Sequence, residues 1–309
     1  MLAILSPGQG SQTPGFLASW LEDATLRNCV GEWSESIGLD LEYLGTQADG
    51  DEIRNTANAQ PLIVAAGLIG VQALGIDANF DISAGHSVGE ITASAIAGVF
   101  SYADAMTLVR ERGLVMAVAA SQSETGMSAV LGGEREAVLA SIAELGLVAA
   151  NDNGSGQIVA AGDLIALAQL GDNPPTGARV RALAVSGAFH THYMQPAISH
   201  LDNFAQAISV QDPNMSLLSN KDGQQVSSGA QALTRIVSQV ANPVRWDLCM
   251  QTLAELGVTA VIEIPPAGTL VGLIKRTLAG VETLALKSPD DLGAARDLIS
   301  RHCRKVATQ

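Results

Sequence analysis

Cysteine and aromatic residues are scarce in this chain of 309 residues. Only 4% of the residues are aromatic. The three cysteines, Cys29, Cys249 and Cys303, lie far apart and match no metal-binding or redox spacing. They exclude a disulfide framework, a cysteine metal site and a dithiol redox centre, so we interpret them as reduced thiols without a functional role.

Basic residues are also few: 17 Lys and Arg stand against 31 Asp and Glu, for a formal net charge of −14. Nucleic acids and anionic membranes bind a basic protein face, so the charge argues against both as partners. An acidic partner would need a local cluster of basic residues, although most such clusters are solvated helix faces. The sequence offers three: Arg110 and Arg112; Lys275 and Arg276; and Arg301, Arg304 and Lys305.

Long apolar runs are lacking as well, and we expect none to reach the length of a membrane span. Residues 1–6 are apolar, but they have no basic leader and run directly into Pro-Gly-Gln-Gly, which argues against a secretory signal. The sequence therefore predicts a cytoplasmic protein. The lack of an obvious exposed apolar stripe favours a monomer.

Small aliphatic residues and glycine dominate what is present, and 47% of the chain is hydrophobic. This composition favours an α/β fold with a substantial core over a β-sandwich. Residues 2–5 resemble a buried strand and lead into a glycine-rich turn at 7–11. That turn does not fit a dinucleotide-binding fingerprint, because the third glycine would fall on Thr13. Further predicted elements are a buried helix over 56–74, a strand at 80–84 and a helix at 90–97.

Short elements follow one another between residues 125 and 186. Strands are predicted at 127–132, 147–151, 157–162 and 179–185, with helices at 134–146 and 163–170. The order βαββαβ is that of a ferredoxin-like unit. We therefore expect a small ferredoxin-like domain, residues 123–187, inserted into a larger catalytic domain formed by residues 1–122 and 188–309.

The segment Gly85-His86-Ser87-Val88-Gly89 fits the pattern G-x-S-x-G between a predicted strand and a predicted helix. In that context the glycines permit a sharp turn that exposes the serine hydroxyl, and the helix amino terminus can stabilise an oxyanion. Ser87 is thus a candidate nucleophile. The alternative is a Ser/Gly-rich turn in which Ser87 merely caps the helix.

The general base must come from elsewhere, since consecutive residues at a strand end point to opposite sides and His86 would not reach Ser87. His190 and His192 follow a predicted strand, and their spacing does not decide between them. A triad of the hydrolase kind would also need an acid between the serine and the histidine in chain order, and the candidates, Asp152, Asp163 and Asp172, all fall inside the predicted small domain. This weakens the simple esterase hypothesis, and a backbone carbonyl or an amide could orient the histidine instead.

Several motifs, taken in order, resemble those of malonyl-CoA:acyl carrier protein transacylases over nearly the whole chain: PGQGSQ (7–12), AQP (59–61), GHSVGE (85–90), RERG (110–113), GAFHTHYM (187–194), QVANPVRW (239–246) and GTLVGL (268–273). The resemblance implies an α/β-hydrolase-like large domain with an inserted ferredoxin-like domain. It also implies transfer of a malonyl group from malonyl-CoA to the phosphopantetheine thiol of an acyl carrier protein, by a ping-pong mechanism that supplies fatty acid synthesis. The segment IPPAG (264–268) departs from the G-P-G turn of many members.

The resemblance also implies roles for single residues. Ser87 matches the nucleophile and His190 the base, while His192 matches no functional position. The backbone N–H groups of Gln9 and Val88 match the oxyanion hole. Arg112 matches the arginine that holds the malonyl carboxylate, which suits guanidinium because it binds carboxylate through two parallel hydrogen bonds.

The resemblance implies supporting roles around the nucleophile, base and substrate for four further residues. The backbone carbonyl of Gln239 matches the group that orients the base, and Asn153 matches an asparagine near the substrate. Phe189, directly before His190, resembles the phenylalanine of the AFH motif in malonyl-selective members. A bulky ring at this position would crowd an α-methyl branch on the acyl group. His86 is expected to contribute to the acyl pocket.

The resemblance implies no metal and no permanently bound cofactor: the CoA thioester is a substrate and phosphopantetheine belongs to the carrier. Because carrier proteins are acidic, Lys275 and Arg276 are the expected docking residues. The alternatives are an acyltransferase serving a polyketide synthase or malonate decarboxylase carrier, a serine esterase, and a carrier-binding scaffold with an inactive site.

Overall fold

The computed structural model describes residues 1–75, 80–185 and 187–303. The strands are β1 (Leu2–Ser6), β2 (Ile82–Gly85), β3 (Thr125–Gly132), β4 (Val148–Asp152), β5 (Gln157–Asp163), β6 (Ala178–Ala182), β7 (Ser216–Leu218), β8 (Gln225–Val226), β9 (Val244–Arg245), β10 (Ala260–Glu263) and β11 (Glu282–Ala285). The helices are α1 (Ala24–Ile37), α2 (Leu41–Thr46), α3 (Thr56–Leu74), α4 (Gly89–Ile96), α5 (Tyr102–Ala120), α6 (Arg135–Glu144), α7 (Leu164–Asp172), α8 (Gln195–Ala205), α9 (Gly229–Gln239), α10 (Trp246–Glu255), α11 (Thr269–Thr277) and α12 (Leu292–His302).

The larger sheet has the strand order β11-β10-β1-β2-β7-β8. Its pairs are parallel except β7 with β8, which is antiparallel. Along β1, Leu2 and Ile4 pack into one hydrophobic cluster while Ala3 and Leu5 pack into another on the opposite face. Both faces are therefore covered, which explains why β1 is a continuous apolar run rather than an alternating one.

The smaller sheet has the order β6-β3-β5-β4-β9, and its first four strands pair antiparallel. The predicted succession βαββαβ is confirmed in β3-α6-β4-β5-α7-β6. The sheet also contains β9, which comes from the carboxy-terminal part of the chain and pairs parallel with β4. A strand of two residues has no periodicity that the sequence could reveal.

One predicted strand is shorter than expected. The segment 179–185 was assigned to a strand, but β6 ends at Ala182, and the N–H of Val185 donates to the carbonyl of Leu183. Leu183 and Val185 turn instead toward a cavity between the two sheets. The mixed α/β class is confirmed by both sheets and their helices.

Helix α3 confirms the prediction for 56–74, but it corrects the expectation that no apolar run reaches the length of a membrane span. The helix is long and apolar enough by length and composition, and 78% of its apolar stretch is buried inside the protein. Gly67 and Gly70 let it approach Ile264 and Pro265, which a β-carbon at either glycine would crowd. In this structure α3 is a core helix.

Candidate active site

The predicted strand–turn–helix around Ser87 is confirmed. Strand β2 ends at Gly85, α4 begins at Gly89, and Ser87 between them has a left-handed backbone conformation with φ 53°. A β-carbon at Gly85 would overlap the carbonyl of Gly89, and one at Gly89 would overlap the carbonyl of Ser6. Any larger residue at either position would therefore clash with backbone atoms, which cannot move aside by changing a side-chain rotamer.

This packing predicts that Gly85→Ala destabilises the protein by about 3 kcal/mol or more, because the backbone of the turn must move to admit the methyl group. Gly31→Ala is the matched control. Gly31 lies in α1, and apart from its chain neighbours and its own helix backbone no atom of the described residues comes within 4 Å of the added carbon. Alanine there should therefore be neutral or stabilising by up to about 1 kcal/mol. The measurement is urea unfolding of both variants. Equal midpoints would contradict the proposed close packing of the turn.

His190 is the histidine that reaches the serine. Its Nε2 lies 2.7 Å from Ser87 Oγ, and its Nδ1 lies 2.8 Å from the backbone carbonyl oxygen of Gln239. Since a carbonyl can only accept, Nδ1 carries the proton and Nε2 is free to accept the proton of Ser87. The carbonyl thus takes the place of the acid in a Ser-His-Asp arrangement.

The environment keeps this imidazole neutral. His190 is 3% exposed. Burial, reinforced by the nearby positive charge of Arg112, lowers the pKa of His190 to about 3. The ring is therefore a proton acceptor throughout the neutral pH range.

The other two histidines of the local motifs do not contact Ser87 Oγ. His192 is exposed and stacks on Tyr193, with ring centroids 4.3 Å apart. His86 places its Nε2 2.8 Å from Asn153 Oδ1 and the edge of its ring against Trp246. Burial lowers the pKa of His86, so the pair with Asn153 is a neutral polar contact.

A cavity of about 260 Å³ lies between the two sheets in front of Ser87. Residues of the smaller sheet, such as Met127 and Val159, form its far wall. Every residue that the sequence assigned to the site lines this cavity except Gln239, namely Gln9, His86, Ser87, Val88, Arg112, Asn153, Phe189 and His190. The backbone N–H groups of Gln9 and Val88 donate to no acceptor among the described residues, so both remain available to a ligand.

Arg112 is a buried cation with neutral partners. Its side chain is 1% exposed, Nη1 donates to Gln60 Oε1 at 2.5 Å, and Nη2 donates to Gln239 Oε1 at 3.0 Å. Its Nε has no partner in the part of the chain that the structure describes. Burial lowers the pKa of Arg112 to about 10, against an opposing contribution from Glu90. The guanidinium therefore stays charged at neutral pH and can donate hydrogen bonds to a carboxylate in the cavity.

Arg110 differs from Arg112 in position and bonding. Clusters of basic residues are mostly solvated helix faces, but Arg110 is partly buried and its Nη1 donates to the carbonyl of Ala57 at 2.9 Å. It does not line the cavity. The close approach of α5 to the first turn of α3, which sequence spacing does not show, explains the difference.

Sequence reasoning missed three polar residues of the site: Gln60, which lines the cavity, and Glu90 and Asn220, which lie behind its wall. Gln60 and Glu90 lie within quoted motifs but received no role, and nothing in the sequence marked Asn220. The side chain of Asn220 holds the turn from behind: Oδ1 accepts the N–H of Ser87 at 2.7 Å, and Nδ2 donates to the carbonyl of Gly85 at 2.7 Å. The backbone N–H of Asn220 in turn donates to Glu90.

A serine at a strand–turn–helix, a neutral histidine on its hydroxyl and two available N–H groups beside it are the features of enzymes that act through an acyl-serine intermediate. The sequence model of the acyl transferase domain family matches residues 5–292. The chain belongs to this family.

A sequence relative and a solved structure from Mycobacterium tuberculosis illustrate the similarity. The malonyl CoA-acyl carrier protein transacylase of strain H37Rv is 53% identical over 305 residues, which cover 96% of this chain and 100% of that protein. The crystal structure of MCAT from the same species superimposes with a TM-score of 0.93 at 52% identity, covering 96% of this chain and 99% of that one.

Another similar protein was solved with a partner. It is a malonyl-transacylase in complex with a type II PKS acyl-carrier protein, with a TM-score of 0.90 at 30% identity. The match covers 96% of this chain and 99% of that one.

Proposed function

We propose that this protein transfers the malonyl group of malonyl-CoA to the phosphopantetheine thiol of an acyl carrier protein, supplying fatty acid synthesis. The observation that carries the proposal is the buried guanidinium of Arg112, which faces the same cavity as Ser87 and, among the described residues, hydrogen-bonds only to amide oxygens. A carboxylate on the acyl group would neutralise it. The names of the similar proteins support the same substrate pair.

In the first half-reaction His190 Nε2 takes the proton of Ser87 as Oγ attacks the thioester carbon. The carbonyl oxygen becomes an oxyanion that accepts hydrogen bonds from the backbone N–H groups of Gln9 and Val88, near the positive end of α4. The carbon–sulfur bond then breaks, and His190 returns the proton to the leaving sulfur. The products are free CoA and malonyl-Ser87.

The second half-reaction follows the same route in reverse. The carrier thiol loses its proton to His190 and attacks malonyl-Ser87, and the ester bond breaks to release Ser87 Oγ with the proton. CoA must leave before the carrier thiol enters, because both use the same cavity. Ping-pong kinetics follow from this order.

Malonyl selectivity is assigned to the walls of the cavity. A guanidinium has five N–H donors, and the side-chain amides of Gln60 and Gln239 engage two of those of Arg112. The remaining donors can hold a carboxylate. Phe189, 5% exposed, would crowd an α-methyl branch, and the His86–Asn153 pair forms part of the acyl pocket.

We assign the larger sheet to an α/β-hydrolase-like domain, residues 1–122 and 188–309, and the smaller sheet to an inserted ferredoxin-like domain, residues 123–187. The strand order β6-β3-β5-β4 within the smaller sheet supports the second assignment. Strand β9 extends this sheet from outside the inserted segment. The cavity thus lies where the two domains meet.

The carrier protein is proposed to dock at Lys275 and Arg276, which are exposed in the last turn of α11. Leu270 and Leu273 of the same helix line the cavity, so a carrier bound there lies close to its entrance. The third basic cluster fits less well, since Arg301 pairs with Glu282. Arg304 and Lys305 lie outside the described residues.

We further propose that the protein is a cytoplasmic monomer with no permanently bound cofactor. The net charge of −14 supports the proposal that it binds neither nucleic acid nor an anionic membrane.

The test is incubation with malonyl-CoA followed by intact-protein mass spectrometry, then addition of holo acyl carrier protein. We expect a malonyl adduct that passes to the carrier more rapidly than it hydrolyses. No adduct on the wild type would refute malonyl transfer, and rapid release to water would favour an esterase. Parallel assays with fatty acid, polyketide and malonate decarboxylase carriers identify the carrier that accepts the malonyl group.

A further inference from the structure

Glu90 is a buried carboxylate directly behind the catalytic turn. It lies in the first turn of α4, three positions after Ser87, and is 4% exposed. One of its oxygens accepts the backbone N–H of Asn220 at 2.5 Å, and the other accepts Nε2 of Gln239 at 2.5 Å. Each carboxylate oxygen therefore accepts a hydrogen bond from an N–H donor, as expected of an ionised carboxylate.

Gln239 connects this carboxylate to both halves of the candidate site. Its backbone carbonyl accepts Nδ1 of His190, and its side-chain oxygen accepts Nη2 of Arg112. Its side-chain nitrogen donates to Glu90 and to Asn220 Oδ1. One residue thus contacts the base through its main chain and the arginine through its amide.

The orientation of the Gln239 side-chain amide is fixed by the hydrogen-bond acceptors of Glu90 and Asn220. With two acceptors on one side, the nitrogen must point to Glu90 and Asn220, and the oxygen is then left for Arg112. If the amide were reversed, its nitrogen would face the guanidinium donor to donor. A carboxylate at position 90 therefore determines that an acceptor is presented to Arg112.

We propose that Glu90 is a positioning residue that, through Gln239, holds Arg112 in place for the acyl carboxylate and, through Asn220, holds the turn that carries Ser87. The proposal rests on the proposed malonyl transfer and adds to it a determinant of selectivity that does not touch the substrate. Glu90 does not line the cavity in front of Ser87.

Within the described residues, the groups that face Glu90 come from four elements or their ends. Arg112 and Arg235 supply positive charge from α5 and α9, and the residues after β7 supply Ser219 and Asn220. Gln239 closes α9, and the buried thiol of Cys249, whose pKa is raised by burial and by Glu90, faces it from α10. Burial raises the pKa of Glu90 to about 7, against the lowering influence of these hydrogen bonds and cations.

A pH dependence follows with a definite sign. Above about pH 7 Glu90 is charged and accepts from both partners. As the pH falls through that value, one oxygen gains a proton, the orientation of Gln239 is lost, and malonyl loading should decrease. The folded chain binds this proton more tightly than an unfolded one with a pKa of 4.5, so the contribution of Glu90 to stability rises rather than falls as the pH drops from about 7 to about 4.5.

The test is the ratio of malonyl to acetyl loading onto Ser87, measured by quenched single-turnover mass spectrometry between about pH 5.5 and pH 8.5. Any titration of His190 affects both acyl groups alike and cancels in the ratio. We expect the wild-type ratio to fall as the pH drops through about 7. We expect Glu90→Gln to have a ratio about 10- to 100-fold lower at high pH, with no further dependence on pH.

Glu263→Gln is the matched control. Glu263 is also a fully buried carboxylate, and its oxygens accept the N–H groups of Gly268, Leu270 and Val271. This variant should lose stability but keep the wild-type ratio. An equal loss of ratio in Glu263→Gln would overturn the proposal, because any buried charge would then have the same effect.

A folded Glu90→Gln protein with the wild-type ratio would also overturn the inference. If Glu90→Gln does not fold, the wild-type protein alone provides the test, and a malonyl-to-acetyl ratio that is independent of pH overturns the inference. A wild type that forms no malonyl adduct would instead refute the proposed function. The two failures are therefore distinguishable.

Discussion

Ser87→Ala should form no malonyl adduct and should lose transfer by about 10⁵- to 10⁶-fold, since it removes the atom that carries the acyl group. The 2.7 Å contact of Oγ with His190 has no substitute among the neighbouring side chains of the described residues. Binding of malonyl-CoA should persist, because Arg112 and the N–H groups of Gln9 and Val88 remain. Rapid-quench assays of CoA release and equilibrium binding measure the two properties separately.

Ser155→Ala is the matched control for this loss. Ser155 is also a serine with positive φ, 48°, but it is exposed in the loop between β4 and β5 and lies outside the cavity. It should transfer malonyl at the wild-type rate. A malonyl adduct that survives in Ser87→Ala would place the nucleophile elsewhere.

Arg112→Ala should reverse the acyl preference. Loss of one partner of a buried charge pair costs about 3–5 kcal/mol, so malonyl transfer should fall by about 10²- to 10⁴-fold. Acetyl transfer should change much less, because acetyl has no carboxylate to pair. The measurement is kcat/KM for malonyl-CoA and for acetyl-CoA in the same preparation.

Two further variants sharpen this result. Arg112→Lys should not restore malonyl transfer, since an ammonium group cannot bind Gln60, Gln239 and a carboxylate in one plane. Arg110→Ala, two positions away and outside the cavity, should keep the wild-type preference. An unchanged preference in Arg112→Ala would show that the guanidinium does not bind the acyl carboxylate.

The turn around Ser87 and the smaller sheet could be predicted from the sequence because their signals are local. Gly85 and Gly89 bracket Ser87 within five residues, and the backbone carbonyls that exclude a β-carbon lie in the turn itself and in the adjoining β1. The βαββαβ succession likewise follows from alternating short periodic segments. The sequence was less accurate for the ends of elements. Strand β6, for example, ends before the predicted residue 185, because tertiary contacts rather than periodicity decide where strand pairing stops.

The choice between His190 and His192 could not be made from spacing. Both follow the same segment, and only the path of the backbone shows that His190, with φ 62°, points into the cavity while His192 stacks on Tyr193 at the surface. The resemblance of GAFH to a known motif indicated His190. The structure adds the physical reason, which is the 2.8 Å contact of Nδ1 with the carbonyl of Gln239.

Local sequence was thus sufficient for the mixed α/β class and for the strand–turn–helix around Ser87, since each depends on neighbours a few positions apart. Arg112 was indicated by the resemblance of RERG to a family motif. Tertiary structure alone decided which acceptor orients His190, what faces Arg112 and why Glu90 is buried. Glu90 and Gln239 are separated by 149 positions. A contact across that distance depends on how α4 and α9 pack against each other, and single polar residues carry no periodic pattern that would reveal it.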